Sequence, residues 1–224
     1  MEKSEGRLVA LEEKSLYNKE CLWSAFILKG SIRSYKYMAK QSWKPGNMLY
    51  PVPAVLVSCR DKEGNDNVLT VAWAGTICSD PAMLSISVRK ERHSHRMIME
   101  TGEFVVNLTT KALVQATDYC GVKSGRDEDK FAAMNLTKGE AEKVNVPIIM
   151  ESPVNIECKV TQVLELGSHD MFLAEVVNVQ ISDEYMDERG AFHLNDAGLL
   201  AYSHGQYYEL GNKLGTFGYS VRKK

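Results

Sequence analysis

From Pro53 onward, apolar and polar residues follow one another in patterns typical of β-strands. Apolar runs at 54–60 and 68–74 flank the polar stretch DKEGNDN, which predicts a hairpin with a long loop. Residues 82–89 alternate between apolar and more polar side chains, which predicts a strand with one polar face. Further strands are predicted at 104–108, 154–161 and 172–181. The last is nearly all apolar, as expected of a strand buried on both faces or lying at a subunit contact.

Helices are few in this pattern. One is predicted at 94–101, with Ser94 as its N-cap and Gly102 just past its end. Two more are predicted, at 111–119 (ended by Gly121) and at 127–135. Because strands dominate and strands do not alternate with helices, the sequence predicts a mainly β fold, a β-barrel with a few inserted helices.

Residues 1–37 differ from the rest of the chain, since they carry many charges and lack a clear period of either 2 or 3.6 residues. They are either an extra helix and arm on the surface, or an appended or mis-started leader. Met38 opens the stretch that leads into the first strand. We therefore expect one domain over 38–224 and a segment outside the barrel over 1–37.

Composition excludes several classes of protein. The chain has 224 residues, of which 44% are hydrophobic and 25% charged. This composition is that of a folded protein, so intrinsic disorder is excluded for the bulk of the chain. A net charge of −2 offers no basic field for nucleic acid or an anionic membrane. The five cysteines form no C-x-x-C pair, which favours reduced thiols, and the apolar run at 22–28 is too short to span a bilayer. We expect a cytoplasmic protein with neither membrane nor nucleic-acid partners.

Common catalytic motifs are missing from the sequence. It contains no G-x-G-x-x-G after a strand, no Walker A loop and no G-x-S-x-G elbow. His93 and His95 would share one face of a strand, but neither a third histidine nor a carboxylate follows at ligand spacing. The sequence therefore predicts no metal site.

The positive signal is a basic cluster around Ser94, at the predicted helix N-terminus. Arg89, Lys90, Arg92 and Arg96 make up this cluster. Backbone N–H groups and the helix dipole favour an anion there, and arginines add bidentate donors, so phosphate is the natural ligand. The alternative is a solvated basic turn with an ordinary N-cap.

A second signal lies just upstream, in the segment TVAWAGTIC at 70–78. Small residues at Ala72, Ala74, Gly75 and Thr76 would let a flat ligand approach the backbone closely, and Trp73 would supply an aromatic wall. Taken alone, these residues fit the core of a strand equally well.

Together these stretches carry a family resemblance. In chain order they are TVAWAGTICSDPAMLSISVRKERHSHRMIMETGEFVVNL, CGVKSGRDEDKF and AYSHGQYYELGNKLGTFGYSVRKK. The sequence resembles the flavin reductase-like family with its FMN-binding split barrel, and most of all its flavoredoxin-type branch, over about 44–224. The resemblance implies a six-stranded Greek-key split β-barrel, a homodimer, and FMN in a groove near the subunit interface. It leaves 1–37 unexplained.

The resemblance also implies which residues bind FMN. The isoalloxazine would lie along 73–76, the phosphate would bind at 89–95, and the segment 124–131 would close over the flavin. The residues carried over are Trp73, Ala74, Gly75, Thr76, Arg89, Lys90, Arg92, Ser94, His95, Lys130 and Phe131. Ser94 stands where the family more often has threonine and keeps the hydroxyl, whereas His93 stands where an aromatic residue is common.

The function so implied is an FMN-dependent oxidoreductase of the flavin reductase type. It would pass reducing equivalents from NAD(P)H through FMN to a flavin, a ferric complex or a protein. No catalytic side chain is predicted, because the flavin carries the chemistry. The alternatives are a flavoredoxin-like electron carrier fed by a redox protein and a flavin-free dimer with an interaction role.

Other reactive residues are expected to be structural. Cys78 and Cys120 fit small apolar fillers better than redox partners of the flavin. His204 fits an exposed or packing histidine better than a nicotinamide contact. Tyr207 and Tyr208 are expected to pack the C-terminal segment onto the barrel.

Overall fold

The computed structural model describes residues 40–222, and from Gly46 onward these residues belong to one compact unit. The α-helices are α1 (His93–Thr101), α2 (Val114–Val122) and α3 (Lys130–Ala133). The strands are β1 (Val52–Pro53), β2 (Val55–Arg60), β3 (Asp66–Val71), β4 (Ala74–Ser79), β5 (Ala82–Arg89), β6 (Glu103–Leu108), β7 (Lys138–Gly139), β8 (Ile148–Ile149), β9 (Val154–Leu166), β10 (His169–Ile181), β11 (Leu200–Ser203) and β12 (Gln206–Glu209). The segment 1–37, expected to lie outside the barrel, falls outside the described residues.

Seven strands form the main antiparallel sheet, in the order β3-β2-β6-β9-β10-β5-β4. Neighbours that are distant in sequence, such as β2 with β6 and β10 with β5, make this a Greek-key arrangement. A smaller sheet has the order β1-β11-β12, and β7 pairs with β8. The mainly β split barrel predicted from the sequence is therefore confirmed, with seven strands rather than six in its main sheet.

The two edge strands of the main sheet are joined by a very short connection. Only Ala72 and Trp73 separate the end of β3 from the start of β4. Such a link spans about 11 Å at most, so the sheet must curl until its edges meet. At this seam the two edges are not paired with each other, although the carbonyl of Trp73 accepts a hydrogen bond from the amide of Ser87 at 2.8 Å. The barrel is split here, and the split leaves a groove.

The core fills both faces of the central strands. Ile86, Phe104 and Phe172 are buried inside the barrel, together with Met97 and Ile98 of α1. On the other face of β2, Leu56 packs with residues from the helical segments, in a cluster that contains Val68, Leu113, Ala116, Cys120, Phe131, Leu136 and Ile149. Apolar residues on both faces explain why β2 reads as a continuous apolar run.

The helix boundaries differ from the sequence prediction in three places. Helix α1 begins at His93, and its N-cap, Arg92, makes no side-chain capping bond, so Ser94 is not the N-cap. Its C-terminal Gly102, with φ 70°, is confirmed. A 3₁₀ turn at Lys111–Leu113 precedes α2, which continues past Gly121 to Val122. Helix α3 is shorter than predicted, because Asp129 caps it by accepting from the amides of Phe131 and Ala132.

Two expectations about strands need correction. His93 and His95 lie in the first turn of α1 rather than on a strand, so they share no strand face. Of the two alternatives for 172–181, burial on both faces is wrong, since Val179 is 48% and Ile181 39% exposed, and the subunit contact stays a prediction. The first half of this segment alternates between buried and more exposed residues, with Phe172 and Ala174 fully buried.

No helix within residues 40–222 is long and apolar enough to cross a membrane.

Candidate functional site

A basic cavity of about 460 Å³ opens where β5 gives way to α1. Five cationic side chains line it against a single carboxylate, that of Glu91. The cations are Arg89, Arg92, Lys123, Arg126 and Lys130. Glu91 lies 3.4 Å from Arg89, but one carboxylate does not offset five cationic side chains. The excess of positive charge makes this a cavity for an anion.

The start of α1 adds backbone donors to this cavity. His93 and Ser94, in the first helical turn, both line it. Because no side chain caps the helix, its first amide N–H groups lack the usual side-chain acceptor. A helix N-terminus of this kind favours an anion through both its N–H groups and its dipole.

Lys130 is the residue of the cavity that most strongly indicates an anionic ligand. It is only 3% exposed, and its Nζ donates to the carbonyl oxygens of Cys120 and Lys123, each at 3.3 Å. Burial lowers the pKa of its ammonium group, and within the described residues no carboxylate forms an ion pair with it. Buried charges are normally paired, so an ammonium with only carbonyl partners lacks an anion. A phosphate group fits this requirement.

The loop at 123–126 closes the outer side of the basic cavity. Arg126 donates from Nη1 to the carbonyl oxygen of Glu91 at 3.1 Å, which ties the loop to the turn before α1. Gly125 lies so close to Asn67 that a Cβ at this position would overlap the Asn67 amide. Any larger residue at this position would force the Asn67 side chain or the loop to shift.

A narrow channel leads from the basic cavity to Trp73. This channel, of about 150 Å³, shares Arg89 and Arg92 with the basic cavity, and residues 69–73 form one of its walls. His169, at the start of β10, also lines it, and the pKa of His169 is lowered by burial and by the nearby Arg89. Together the cavities form a groove along the seam of the barrel.

At Trp73 the groove forks into two branches. One branch, of about 640 Å³, runs along β4 past Ala74 and Gly75. The other, of about 370 Å³, runs towards the C-terminal hairpin β11–β12 and is walled by Tyr202 and Tyr207. Trp73 lines both branches and the channel as well.

Seven of the residues singled out in the sequence line this groove. They are Trp73, Ala74, Gly75, Arg89, Arg92, Ser94 and Lys130. The seam and the β5–α1 turn thus bring together segments that are 14 or more residues apart in sequence. Thr76 is exposed on β4, just beyond the lining residues.

Three other residues of the predicted set lie behind the groove. Lys90 pairs with Glu165 at 3.0 Å and Asp170 at 3.2 Å, and His95 lies 2.8 Å from Asp170. His95 turns away because one helical step from Ser94 rotates its side chain by about 100°. Phe131 is buried beneath α3, with Lys138 over its ring.

The reactive residues outside the predicted set have structural surroundings. Cys120 is 1% exposed, and burial raises its pKa to about 11, as suits an apolar filler. The cysteines of the described part of the chain, Cys59, Cys78, Cys120 and Cys158, form no disulfide with one another. Over residues 40–222 no three His, Cys, Asp or Glu side chains group as metal ligands. Tyr208 is 50% exposed, so its predicted packing on the barrel is wrong, whereas Tyr207 is half-buried against α2.

Sequence reasoning missed several residues of the groove. Asn67, which donates to Ser94 at 2.7 Å, and Arg126 both line the basic cavity, and His169 lines the channel. The polar DKEGNDN stretch is typical of a turn, so the sequence gives no sign that the side chain of Asn67 faces inward. Tyr202 and Tyr207 of the second branch come from the segment AYSHGQYYE, and the aromatic richness of that segment is the only local signal of their role.

Comparison with known proteins agrees with this architecture. The sequence model of the flavin reductase like domain matches residues 47–211. Flavoredoxin of Desulfovibrio vulgaris (Miyazaki F) has a TM-score of 0.76 and 31% identity, covering 82% of this chain and 100% of that one. Flavoredoxin from Methanosarcina acetivorans has a TM-score of 0.74 and 26% identity, with the same coverage. A ferric-chelate reductase (NAD(P)H) of Archaeoglobus fulgidus is 24% identical over 136 residues, 59% of this chain and 79% of that protein.

The fold and the groove thus define a split β-barrel with an anion cavity at one end of its seam. The chain belongs to the flavin reductase-like family, in its flavoredoxin branch. Membership of this family makes it a flavin-related oxidoreductase or electron carrier.

Proposed function

We propose that the chain binds FMN in the seam groove and passes reducing equivalents from NAD(P)H through FMN to an acceptor. The acceptor would be a flavin, a ferric complex or a protein. The observation that carries the proposal is Lys130, a buried ammonium without a carboxylate partner among the described residues, set in a cavity with four other cations. Phosphate is the anion of FMN, and the channel from the basic cavity leads to the aromatic side chain of Trp73.

Residues of this chain would hold FMN at both ends. Arg89, Arg92, Ser94 and Lys130 would bind the phosphate, and residues 73–76 would lie along the ring system. Bound FMN would supply hydride acceptance and onward electron transfer, so the protein need only align and tune it. An arginine or lysine beside a phosphate contributes charge-assisted hydrogen bonds, and the first turn of α1 adds its dipole.

Lys90, His95 and Phe131 would support the FMN-binding residues without contacting FMN themselves. Lys90 and His95 both bind Asp170, which fixes the β5–α1 turn against β10. Phe131 anchors α3 in the core and so holds its neighbour Lys130 in the cavity. These three would position the phosphate-binding residues rather than touch the cofactor.

A flavoredoxin-like electron carrier is the second candidate. Similarity to a flavoredoxin over the whole length of that protein favours it. In that case the FMN would take electrons from a redox protein and react little with NAD(P)H. Mixing the yellow protein with NADH or NADPH without oxygen separates the two functions. Bleaching within seconds supports the reductase, whereas a flavin that stays oxidised supports the carrier.

The phosphate assignment is tested by comparing FMN with riboflavin, which lacks the phosphate. Losing one charge-assisted hydrogen bond costs about 1.5–3 kcal/mol, so Arg89→Ala and Arg92→Ala should each weaken FMN roughly 10- to 100-fold. Riboflavin affinity should change little. Arg96→Ala is the matched control, because Arg96 is exposed, pairs with Glu100 and lies outside the cavity lining. Equal losses for FMN and riboflavin would refute the assignment.

We further propose that the protein is a homodimer. Apolar side chains remain exposed on strands of the main sheet, among them Ile77 of β4 and Val179 and Ile181 of β10. Contact between such surfaces would remove them from water. Light scattering should report about twice the chain mass of 25.1 kDa, and a particle of that single mass at micromolar concentration would refute the proposal.

A further inference from the structure

His93 is a titratable side chain placed in the wall of the basic cavity. It is the first residue of α1, it is half-buried, and it lines the cavity. Among the described residues its imidazole has no hydrogen-bond or ion-pair partner. By contrast, the ring of His95 lies 2.8 Å from Asp170. The imidazole of His93 is therefore available to a ligand of the cavity.

Charged groups surround His93 from several elements of the fold. The cationic ones come from the β5–α1 turn, α1 itself, the loop at 123–126 and α3, and they are Arg89, Arg92, Arg96, Lys123, Arg126 and Lys130. The carboxylates are those of Glu91 and of Asp61, on the turn after β2. Asp61 is buried, and its oxygens already accept from the backbone amide and the side chain of Asn65, at 2.8 and 2.9 Å. Positive charge therefore dominates around the ring.

These surroundings oppose a protonated His93 as long as no anion is bound. An imidazolium would add one more cation to the cavity, and it would stand at a helix N-terminus, where the helix dipole disfavours positive charge. Burial, together with the nearby Arg126 and Arg96, accordingly lowers the pKa of His93 below its ordinary value of 6.5. The imidazole is therefore neutral at neutral pH in the flavin-free protein.

A phosphate group in the cavity would reverse this preference. A phosphate monoester carries a charge of about −1.5 to −2 near pH 7, and a negative charge close to a histidine raises the pKa of its ring. Binding of the phosphate would then draw a proton from water onto the free ring nitrogen of His93. Because such coupling is reciprocal, a lower pH would strengthen the binding of the phosphate.

We propose that His93 is a proton-linked ligand of the FMN phosphate, which its ring binds as an imidazolium, so that FMN is held more tightly as the pH falls. This inference rests on the proposed function, because the phosphate is taken to occupy the basic cavity. A rise in pH would favour release of the cofactor, so the pH would decide how long FMN stays bound.

The test is the pH dependence of FMN affinity in the wild type and in His93→Gln, followed by the quenching of flavin fluorescence. The phosphate of FMN itself loses its second proton at about pH 6, but this titration is common to both proteins. The ratio of the dissociation constant of the variant to that of the wild type should rise about tenfold between about pH 8.5 and about pH 5.5, because a charge-assisted hydrogen bond forms only with the imidazolium. Riboflavin affinity should differ little between the two proteins at either pH.

Calorimetry provides a second measurement, which a purely structural role of His93 would not affect. FMN binding at about pH 6.5, measured in two buffers with different heats of ionisation, reports how many protons the protein takes up. The wild type should take up more protons than His93→Gln. His193→Gln is the matched control and should resemble the wild type, because His193 is exposed, pairs with Asp187 and lies outside the cavity lining.

His93→Lys keeps a positive charge at every pH of the series and should bind FMN more tightly than the wild type at about pH 8.5. If His93→Gln fails to fold, His93→Lys decides alone, and an affinity no tighter than that of the wild type would then overturn the inference. A ratio that stays constant with pH, or equal proton uptake by the wild type and His93→Gln, would also overturn it and leave the phosphate assignment intact. Equal affinity of the wild type for FMN and riboflavin at every pH would instead refute the phosphate assignment, and this inference with it.

Discussion

The buried side-chain amide of Asn67 donates a hydrogen bond to the hydroxyl oxygen of Ser94 at 2.7 Å. This bond joins the start of β3 to the first turn of α1, and both residues line the basic cavity. Since Ser94 is not the N-cap, its hydroxyl serves to hold the helix N-terminus at the cavity wall. The position of the anion site thus depends on a contact between residues 27 apart in sequence.

Replacing Ser94 tests this contact. Ser94→Ala leaves the buried Asn67 amide without its acceptor, which should lower the free energy of unfolding by about 1–3 kcal/mol. FMN should also bind more weakly, because the first turn of α1 loses its tie to β3. Urea denaturation and a flavin titration measure the two effects. Ser94→Thr, which keeps the hydroxyl, should recover most of both, and an alanine variant as stable as wild type would contradict the prediction.

Lys130 should make the stability of the flavin-free protein depend on pH. Burial lowers its pKa in the folded state below the ordinary value of 10.5. Between the lowered value and 10.5 the unfolded chain keeps the proton that the folded chain has lost, so stability rises as pH rises through this window. Lys130→Met should abolish this contribution without lowering the stability of the flavin-free protein near neutral pH.

The same substitution should have the opposite effect on FMN. Removing the cation should weaken FMN roughly 10- to 100-fold while riboflavin is little affected. Denaturation curves across the alkaline range, together with flavin titrations, provide both measurements. Lys159→Met is a suitable control, because Lys159 is exposed, pairs with Glu103 at 3.5 Å and does not line the cavity. A Lys130→Met protein with less stability and unchanged FMN affinity would show that the lysine is structural.

The segment 1–37 should be dispensable for flavin binding. The family match begins at residue 47, and among residues 40–222 those that line the groove all lie at Gly46 or later. A chain that starts at Met38 should therefore fold and retain flavin as the full chain does. The visible spectrum and a thermal unfolding curve of the shortened protein check this. Loss of yellow, folded protein would assign the segment a structural role.

The alternation of apolar and polar residues is enough to predict a strand such as β5, because one face of that strand is buried. Residues 82–89 alternate in sequence, and Leu84, Ile86 and Val88 are indeed buried. The seam at Ala72 and Trp73 was not predictable in this way. It splits the apolar run 68–74 between two opposite edges of the sheet, and this follows from closure of the barrel rather than from local preference.

The candidate site was partly predictable for the same reason. Arg89, Arg92 and Ser94 are neighbours in sequence, so their cluster was visible before folding. Lys130 entered only through the family resemblance, since an isolated lysine carries no signal of burial. The role of Asn67 and the second branch of the groove depend on contacts between distant segments, and no local pattern indicates which segments will meet.

Glu157 on β9 is a buried carboxylate whose interactions are all remote from the groove. Its oxygens accept from the amides of Glu142 at 3.1 Å and Lys143 at 2.6 Å. They also accept from the side chains of Asn178 at 2.7 Å and Gln180 at 3.1 Å. Burial alone would raise its pKa, but these hydrogen bonds stabilise the anion and together lower the pKa below 4.5.

Glu157→Gln should therefore destabilise the protein at neutral pH by about 1.5–3 kcal/mol, since it removes charge-assisted acceptors and sets an amide N–H₂ against N–H donors. A carboxyl with a lowered pKa in the folded state stabilises above its ordinary pKa, and this stability is lost as pH falls through the lowered value. In urea denaturation, the difference in free energy of unfolding between the variant and the wild type should decrease below about pH 4. FMN affinity should not change, and Glu188→Gln, at an exposed position, should resemble wild type throughout. A gap that stays constant down to about pH 2 would mean that packing, not charge, sets the role of Glu157.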